Sequence, residues 1–349
     1  MEIAFKTMLV VAAAALMHSC ATAPTQTLSG LDPQKFAAEI SGKPTDLYTL
    51  TNASGMEVCV TNFGARIVSV MVPDRNGEMN DVVLGFDNVA NYADKVNSPS
   101  DFGASIGRYA NRINKGIIVI DGQTIQLPQN NFGHCLHGGP DGWQYKVYDA
   151  VLADESTVVL TLESPDGDAY FPGAVTAVVT MKLTDDNAID ISYEAVTDKK
   201  TVINMTNHTY FNLSGDPTRR VDDQVLMINA DNYTPVDDTF MTTGEILPVE
   251  GTPMDFRQPV ALGQNIRNFD FQQIKFGNGF DHNWCLTSAG DAPQLAARAF
   301  CPETGICLDM FTDEPGVQFY SGNFLDGSVT GKNGIANQQS TGFCLETQK

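Results

Sequence analysis

A chain of 349 residues suffices for one large all-β domain or two ordinary ones, and 42% hydrophobic against 18% charged residues excludes disorder as its dominant state. The 21 basic residues stand against 42 acidic ones, a net charge of −21. Such a chain repels phosphate backbones and anionic lipid, which excludes nucleic acid partners and charge-driven membrane adsorption. A neutral ligand would be indifferent to that charge.

Lys6 precedes an apolar stretch, residues 8–17, that is too short to span a bilayer as a permanent helix. Directly after it come His18, Ser19 and Cys20, a small residue before a cysteine. The arrangement resembles a bacterial lipoprotein signal. It implies that residues 1–19 are removed and that Cys20 carries lipid, as the protein's sole attachment to membrane. An ordinary secretory signal with an incidental cysteine is the rival reading. Both predict export, and the lipoprotein reading places the protein in the bacterial cell envelope, on the periplasmic side or at the outer membrane. Residues 20–31 read as anchor and flexible tether, rich in Ala, Thr, Pro and Ser without periodicity.

Residues 32–349 read as a single domain, with no repeat and no second charge regime. Asp32 followed by Pro33 predicts a helix start, with Phe36 and Ile40 on one face and an end near Ser41-Gly42. Thereafter helical periodicity almost disappears. Residues 117–120 and 123–127 flank Asp121-Gly122, which supplies the positive φ angles of a tight hairpin turn. Residues 157–162 and 175–183 are β-branched and apolar, and Ile189, Ile191 and Tyr193 alternate with polar residues. Many strands without intervening helices predict two packed antiparallel sheets. Apart from Cys20 there are six cysteines, at 59, 135, 285, 301, 307 and 344. Most lie in apolar runs where cysteine acts as a small hydrophobe. Only Cys301 and Cys307 could close a short loop, so no disulfide framework is expected, and no pair has zinc-ligand spacing.

Five polar clusters interrupt this pattern, at residues 107–113, 136–139, 204–215, 281–284 and 342–348. In the third, strand alternation puts Asn204, Thr206, His208 and Tyr210 on one face and Ile203 and Met205 on the other. Amides, hydroxyls and an aromatic ring on one face suit a polar concave surface for a sugar. The bland alternative, a satisfied structural histidine, applies to His208 with equal weight.

The run Thr-Asn-His-Thr-Tyr-Phe-Asn-Leu-Ser-Gly at 206–215 is similar to the signature of the aldose 1-epimerases, also called galactose mutarotases. So are Gly-Arg-Tyr-Ala-Asn-Arg-Ile at 107–113, Leu-His-Gly-Gly at 136–139, and Ser-Pro-Asp-Gly at 164–167 with Phe-Pro-Gly at 171–173. Phe-Asp-His at 280–282 and Gly-Phe-Cys-Leu-Glu-Thr-Gln at 342–348 complete the set, in the family's order. The resemblance implies a large antiparallel β-sandwich of the galactose mutarotase-like type, with few short helices and a shallow cleft across one sheet. It implies that His208 is the general acid at the ring oxygen and Glu346 the general base at the C1 hydroxyl. Arg112, His137 and Asp281 match positions that hold the sugar, and Asn111 and Tyr210 join them as candidate substrate contacts. His282 is the alternative to Asp281. The implied reaction needs no nucleophile, metal or cofactor; its only partner is a small sugar, and the oligomeric state, monomer or dimer, is open.

A non-catalytic sugar-binding module on the same scaffold would be expected to lack the acid or the base, and both are present. A sugar-phosphate epimerase would want more basic residues than Arg112, and a hydrolase or lyase a second carboxylate beside Glu346. Arg112 could instead brace a loop. Asp166-Gly167-Asp168 reads as a turn rather than a calcium loop, and the sequons at Asn204, Asn207 and Asn212 carry no meaning in a bacterial host. Family members usually continue for a strand or two beyond the glutamate motif, whereas this sequence stops at Lys349. A terminal strand without its neighbour would fray.

Overall fold

In the computed structural model the described residues are 26–287, 290 and 292–349. The segment read as a signal, residues 1–19, and Cys20 lie outside them. Among the described residues the architecture is antiparallel β almost throughout, with two α-helices of under two turns, Val89–Ala93 and Gln272–Gly277. Among the described residues no helix is long and apolar enough to cross a membrane.

Four sheets form the body. Leu47–Thr51, Glu57–Thr61, Arg66–Pro73 and Met79–Asp81 run as a meander. So do Asp149–Asp154, Thr157–Ser164, Val175–Leu183 and Ile189–Thr197. A third sheet orders Val260–Ala261, Val225–Ile228, Gln294–Phe300 and Cys307–Thr312. The fourth, five-stranded, orders Leu247–Pro248, Asn232–Thr234, Asp281–Cys285, Gly316–Tyr320 and Cys344–Gln348. One continuous core takes Val58 and Ile67 from the first, Leu160 and Val179 from the second, Leu226 and Ala297 from the third, and Trp284, Phe319 and Leu345 from the fourth. Each fully buried Phe or Leu contributes about 1.5–3 kcal/mol, so this shared core holds the sheets as one packed body.

The alternation of the five-stranded sheet makes the site possible. Trp284, Val317, Phe319 and Leu345 point into the core. Their neighbours along each strand therefore point to the opposite face. Register places Asp281 opposite Tyr320 and Tyr320 opposite Cys344, while Gln318 stands between Asn283 and Glu346. Cys344–Gln348 is thus paired along all five residues with Gly316–Tyr320. Its other flank is held by Phe343 bridged to Phe211 and by the Lys349 N–H donating to Asn204 Oδ1.

The hairpin at 117–126 forms as read, with Asp121 and Gly122 at φ 50° and 78°. The predicted strands at 157–162, 175–183 and 189–193 also form. The helix predicted after Asp32 does not. Asp32 caps a single 3-10 turn, Pro33–Lys35, and Ala38–Ile40 then pairs with Lys43–Thr45. Ser41 and Gly42 both take positive φ, 53° and 76°, which makes the intended helix end a hairpin turn. The nine-residue pattern was too short to nucleate a helix against that competitor. All six described cysteines are free.

Candidate active site

His208 is held by a short strand, Thr206–His208, paired with Ala104–Ile106. The strand alternation expected from Asn204 to Tyr210 is cut to these three residues because Asn204 instead bridges Tyr109 and Phe211 bridges Phe343. Nε2 of His208 lies 3.5 Å from Oε1 of Glu346, with both side chains at most 6% exposed. Nδ1 of His208 lies 3.4 Å from Sγ of Cys344. Burial holds that thiol protonated, its pKa raised well above the ordinary value. A thiol can turn either its S–H or its sulfur lone pair toward Nδ1, so it serves both charge states of the ring. Tyr210 stacks behind the imidazole, 5.1 Å between centroids and 21° between planes, and packs edge-on against Phe102 and Tyr320. It therefore packs face-on against the imidazole and holds its plane.

Burial pushes the Glu346 carboxyl up to about 7, with Asp281 and Asp101 reinforcing the shift and His208 and Arg112 opposing it. A carboxyl poised there is a stronger base than an exposed glutamate and is still substantially ionised near neutrality.

His137 faces His208 edge-on at 5.2 Å. The backbone N–H of Asn111 donates to its Nδ1, and the His137 N–H returns to Asn111 O, both at 3.1 Å. Burial drives the His137 pKa down to about 3, against the raising influence of Asp101. The ring is therefore neutral, with its hydrogen on Nε2, which leaves that nitrogen a donor. The Leu-His-Gly-Gly motif explains the approach. Gly138 is at φ 77°, and a Cβ there would sit 2.2 Å from the Gly107 carbonyl oxygen.

Arg112 Nε donates to Asn131 Oδ1 at 3.2 Å, and its guanidinium lies 5.1 Å over the Phe240 ring. Its backbone N–H donates to Asn111 Oδ1. Burial lowers its pKa, and Asp281 and Glu346 counter this as the nearby negative groups. Asp281 is buried at 9% exposure and accepts from Gln318 Nε2 at 2.7 Å. His282 is excluded from the site: it points to the opposite face, between Tyr233 and Trp284, and its Nδ1 accepts from the Asp281 N–H. Asn111 Nδ2 reaches Gln348 Oε1 at 3.4 Å, which ties the 107–113 loop to the Glu346 strand.

The structure thus brings together His208, Glu346, Arg112, His137, Asp281, Asn111 and Tyr210. Sequence reading passed over Gln318, Tyr320, Cys344 and Asp101. The first three share a face with Asp281 and Glu346, a signal that needed the register between strands. Other motif residues are braces. Arg108 donates to Pro172 O, Gly173 O and Ser164 Oγ, stapling two motif loops together. Asn212 Nδ2 donates to three backbone carbonyls, of Asp216, Arg219 and Thr341. Asp166-Gly167-Asp168 is a turn, with Gly167 left-handed and the aspartates held by Lys199 and Lys146.

Among the described residues, two sets of donor atoms lie within 4.8 Å of one another: Asp101, His137 and His208, and His208, Cys344 and Glu346. A hydrogen-bearing Nε2 on His137 and a thiol kept protonated are poor ligands.

The family model for aldose 1-epimerase matches residues 46–349. The chain belongs to the aldose 1-epimerase family. It is 41% identical over 293 residues to a galactose mutarotase of Homo sapiens, covering 84% of this chain and 82% of that protein. It is 37% identical over 309 residues to an aldose 1-epimerase of Escherichia coli K12, covering 88% and 87%. The crystal structure of a galactose 1-epimerase from Lactobacillus acidophilus superposes with a TM-score of 0.77 at 32% identity, over 89% of this chain and 88% of that one. An aldose epimerase homologue from C. elegans gives 0.79 at 29% identity, over 87% and 89%. The range matched by the family model includes every motif that builds the site.

Proposed function

We propose that this protein is an aldose 1-epimerase, an isomerase that interconverts the α and β anomers of free hexoses such as galactose and glucose. The observation that carries the reading is the buried pair His208 and Glu346, 3.5 Å apart, brought together from the separate strands Thr206–His208 and Cys344–Gln348. Arg112 and Asp281 lie close enough to act on Glu346, and His137 faces His208, which gives the pair the polar surroundings that sugar hydroxyls require. Glu346 takes the proton from the C1 hydroxyl while protonated His208 delivers one to the ring oxygen. The C1–O5 bond breaks and C1 becomes an aldehyde. Rotation about C1–C2 presents the other carbonyl face; O5 attacks it, returns its proton to His208, and Glu346 reprotonates O1. Each group regains its starting proton, so the cycle is neutral overall. Positioned proton transfer of this kind contributes about 10²–10⁴ in rate.

The reading is tested at equilibrium by exchange NMR on galactose and glucose, where catalysis adds cross-peaks between the α and β anomeric protons without changing their populations. Unchanged cross-peaks with folded protein would refute it.

We infer further that Cys20 is a lipid anchor and that the enzyme works in the bacterial envelope, where it supplies whichever anomer a transporter or kinase accepts. The short apolar stretch before Ser19-Cys20 supports this. Palmitate incorporation into the expressed full chain, lost in Cys20→Ala, is the expected result; an unlabelled chain in the soluble cytosolic fraction would contradict it.

A further inference from the structure

One charged group in the site has no part in the proton cycle, and the fold holds it there firmly. Arg66 is fully buried and donates to the carbonyls of Ser100, Phe102 and Gln144, at 3.4, 2.8 and 2.8 Å. Its guanidinium also lies 5.0 Å over the Tyr92 ring. It therefore grips the backbone on both sides of Asp101. The Asp101 carbonyl accepts from the Ala104 N–H, the Gly103 N–H donates to the carbonyl of His208, and Asn207 Nδ2 donates to the carbonyl of Gly103. At Gly103, φ 67°, a Cβ would lie 1.8 Å from the Ile67 carbonyl oxygen, so only glycine lets the turn close this tightly on the histidine strand.

The result is a carboxylate aimed between two imidazoles. An oxygen of Asp101 and ring nitrogens of His137 and His208 lie within 4.8 Å of one another. Asp101 Oδ1 is buried and has no hydrogen-bond partner among the described residues, a state that costs stability and that a structural aspartate would relieve. We propose that Asp101 is a positioning residue of the anomer exchange, acting through His208: its negative charge stabilises the protonated imidazole that delivers a proton to the ring oxygen. The proposal rests on the mutarotase reading of this site.

The groups facing His208 set the sign. Glu346 and Cys344 face it from the Cys344–Gln348 strand, Tyr320 from Gly316–Tyr320, Tyr210 from its own segment, and His137 and Asp101 from loops. Arg112 and Asp281 complete the charged field around Glu346. Neutralising Asp101 removes one negative charge from beside both the acid and the base. Protonated His208 is less favoured, so the alkaline limb of the pH–rate profile moves to lower pH. Ionised Glu346 is more favoured, so the acid limb also moves to lower pH.

The test compares the pH profile of kcat/KM for galactose mutarotation in the parent, Asp101→Asn and Asp101→Glu, with thermal melts to confirm folding. Asp101→Asn is expected to shift both limbs acidward by about one pH unit, with a loss of roughly tenfold at pH 8. Asp101→Glu, which keeps the charge, is expected to restore both limbs. If Asp101→Asn does not fold, Asp101→Ser carries the same expectation. Limbs that stay in place in a folded neutral variant, whatever the height of the profile, would overturn the proposal while leaving the mutarotase reading intact. An inactive parent would overturn both.

Discussion

The Asn111 N–H donates to Nδ1 of His137, and this one backbone bond, 3.1 Å long, fixes which side of the ring carries the hydrogen. Together with a pKa held near 3 by burial, it makes His137 a donor that does not titrate in the working range. The ring should show a single neutral tautomer with Nε2 protonated, unchanged from pH 5 to 9, in ¹⁵N NMR of labelled histidine. His137→Ala should lower kcat/KM about 3- to 10-fold, the effect of losing one neutral hydrogen bond, without moving either limb of the profile.

Glu346 is held ionisable in a buried place at a cost in stability. Its folded pKa of about 7 lies above the unfolded value of 4.5, so the folded state holds the extra proton between these limits. That stabilising contribution is complete below pH 4.5 and is lost as pH rises through 7. Glu346→Gln, which cannot ionise, should therefore unfold later than the parent at pH 8, by on the order of 2 kcal/mol, and be indistinguishable at pH 4. Urea denaturation at the two pH values checks the sign, while activity should fall by about 10²-fold or more.

Arg112 combines a hydrogen bond to Asn131 with a guanidinium laid over Phe240. Lysine keeps the charge but loses the planar fork and its stacking. Arg112→Lys should raise KM about tenfold with a smaller change in kcat, measurable by initial rates across galactose concentration.

Asp281 and Gln318 form one unit, joined at 2.7 Å in a buried position. Asp281→Ala strands the Gln318 amide, so it should cost about 1–3 kcal/mol in stability as well as substrate affinity. Adding Gln318→Ala should then do little further harm. A double-mutant cycle by urea denaturation and kcat/KM reports the coupling, and strict additivity would contradict it.

The sandwich was legible in the sequence because its signals are local. Alternation at 189–193, the Asp121-Gly122 turn and the β-branched runs at 157–162 and 175–183 each specify an element without reference to any other. The helix after Asp32 was misread because a cap and two apolar residues also fit a 3-10 turn followed by a hairpin, and only pairing of Ala38–Ile40 with Lys43–Thr45 decides between them. At the site, His208, Glu346, Arg112, His137 and Asp281 stood out through their motifs. Cys344 lies inside a motif yet read as a small hydrophobe, since nothing local shows that it faces Nδ1 of His208. Gln318 and Asp101 carry no local signal at all. Strand register brings the first to Asp281, and the grip of Arg66, 35 residues earlier in the chain, turns the second toward the imidazoles.

The most direct test of the central claim is polarimetry of freshly dissolved α-D-galactose with the parent, His208→Ala and Glu346→Ala. The parent should accelerate the approach to equilibrium well beyond the buffer rate, and both folded variants should fall back by about 10²-fold or more toward it. A parent that leaves the buffer rate unchanged, or a His208 or Glu346 variant that retains full acceleration, would contradict the acid–base pair as the source of activity.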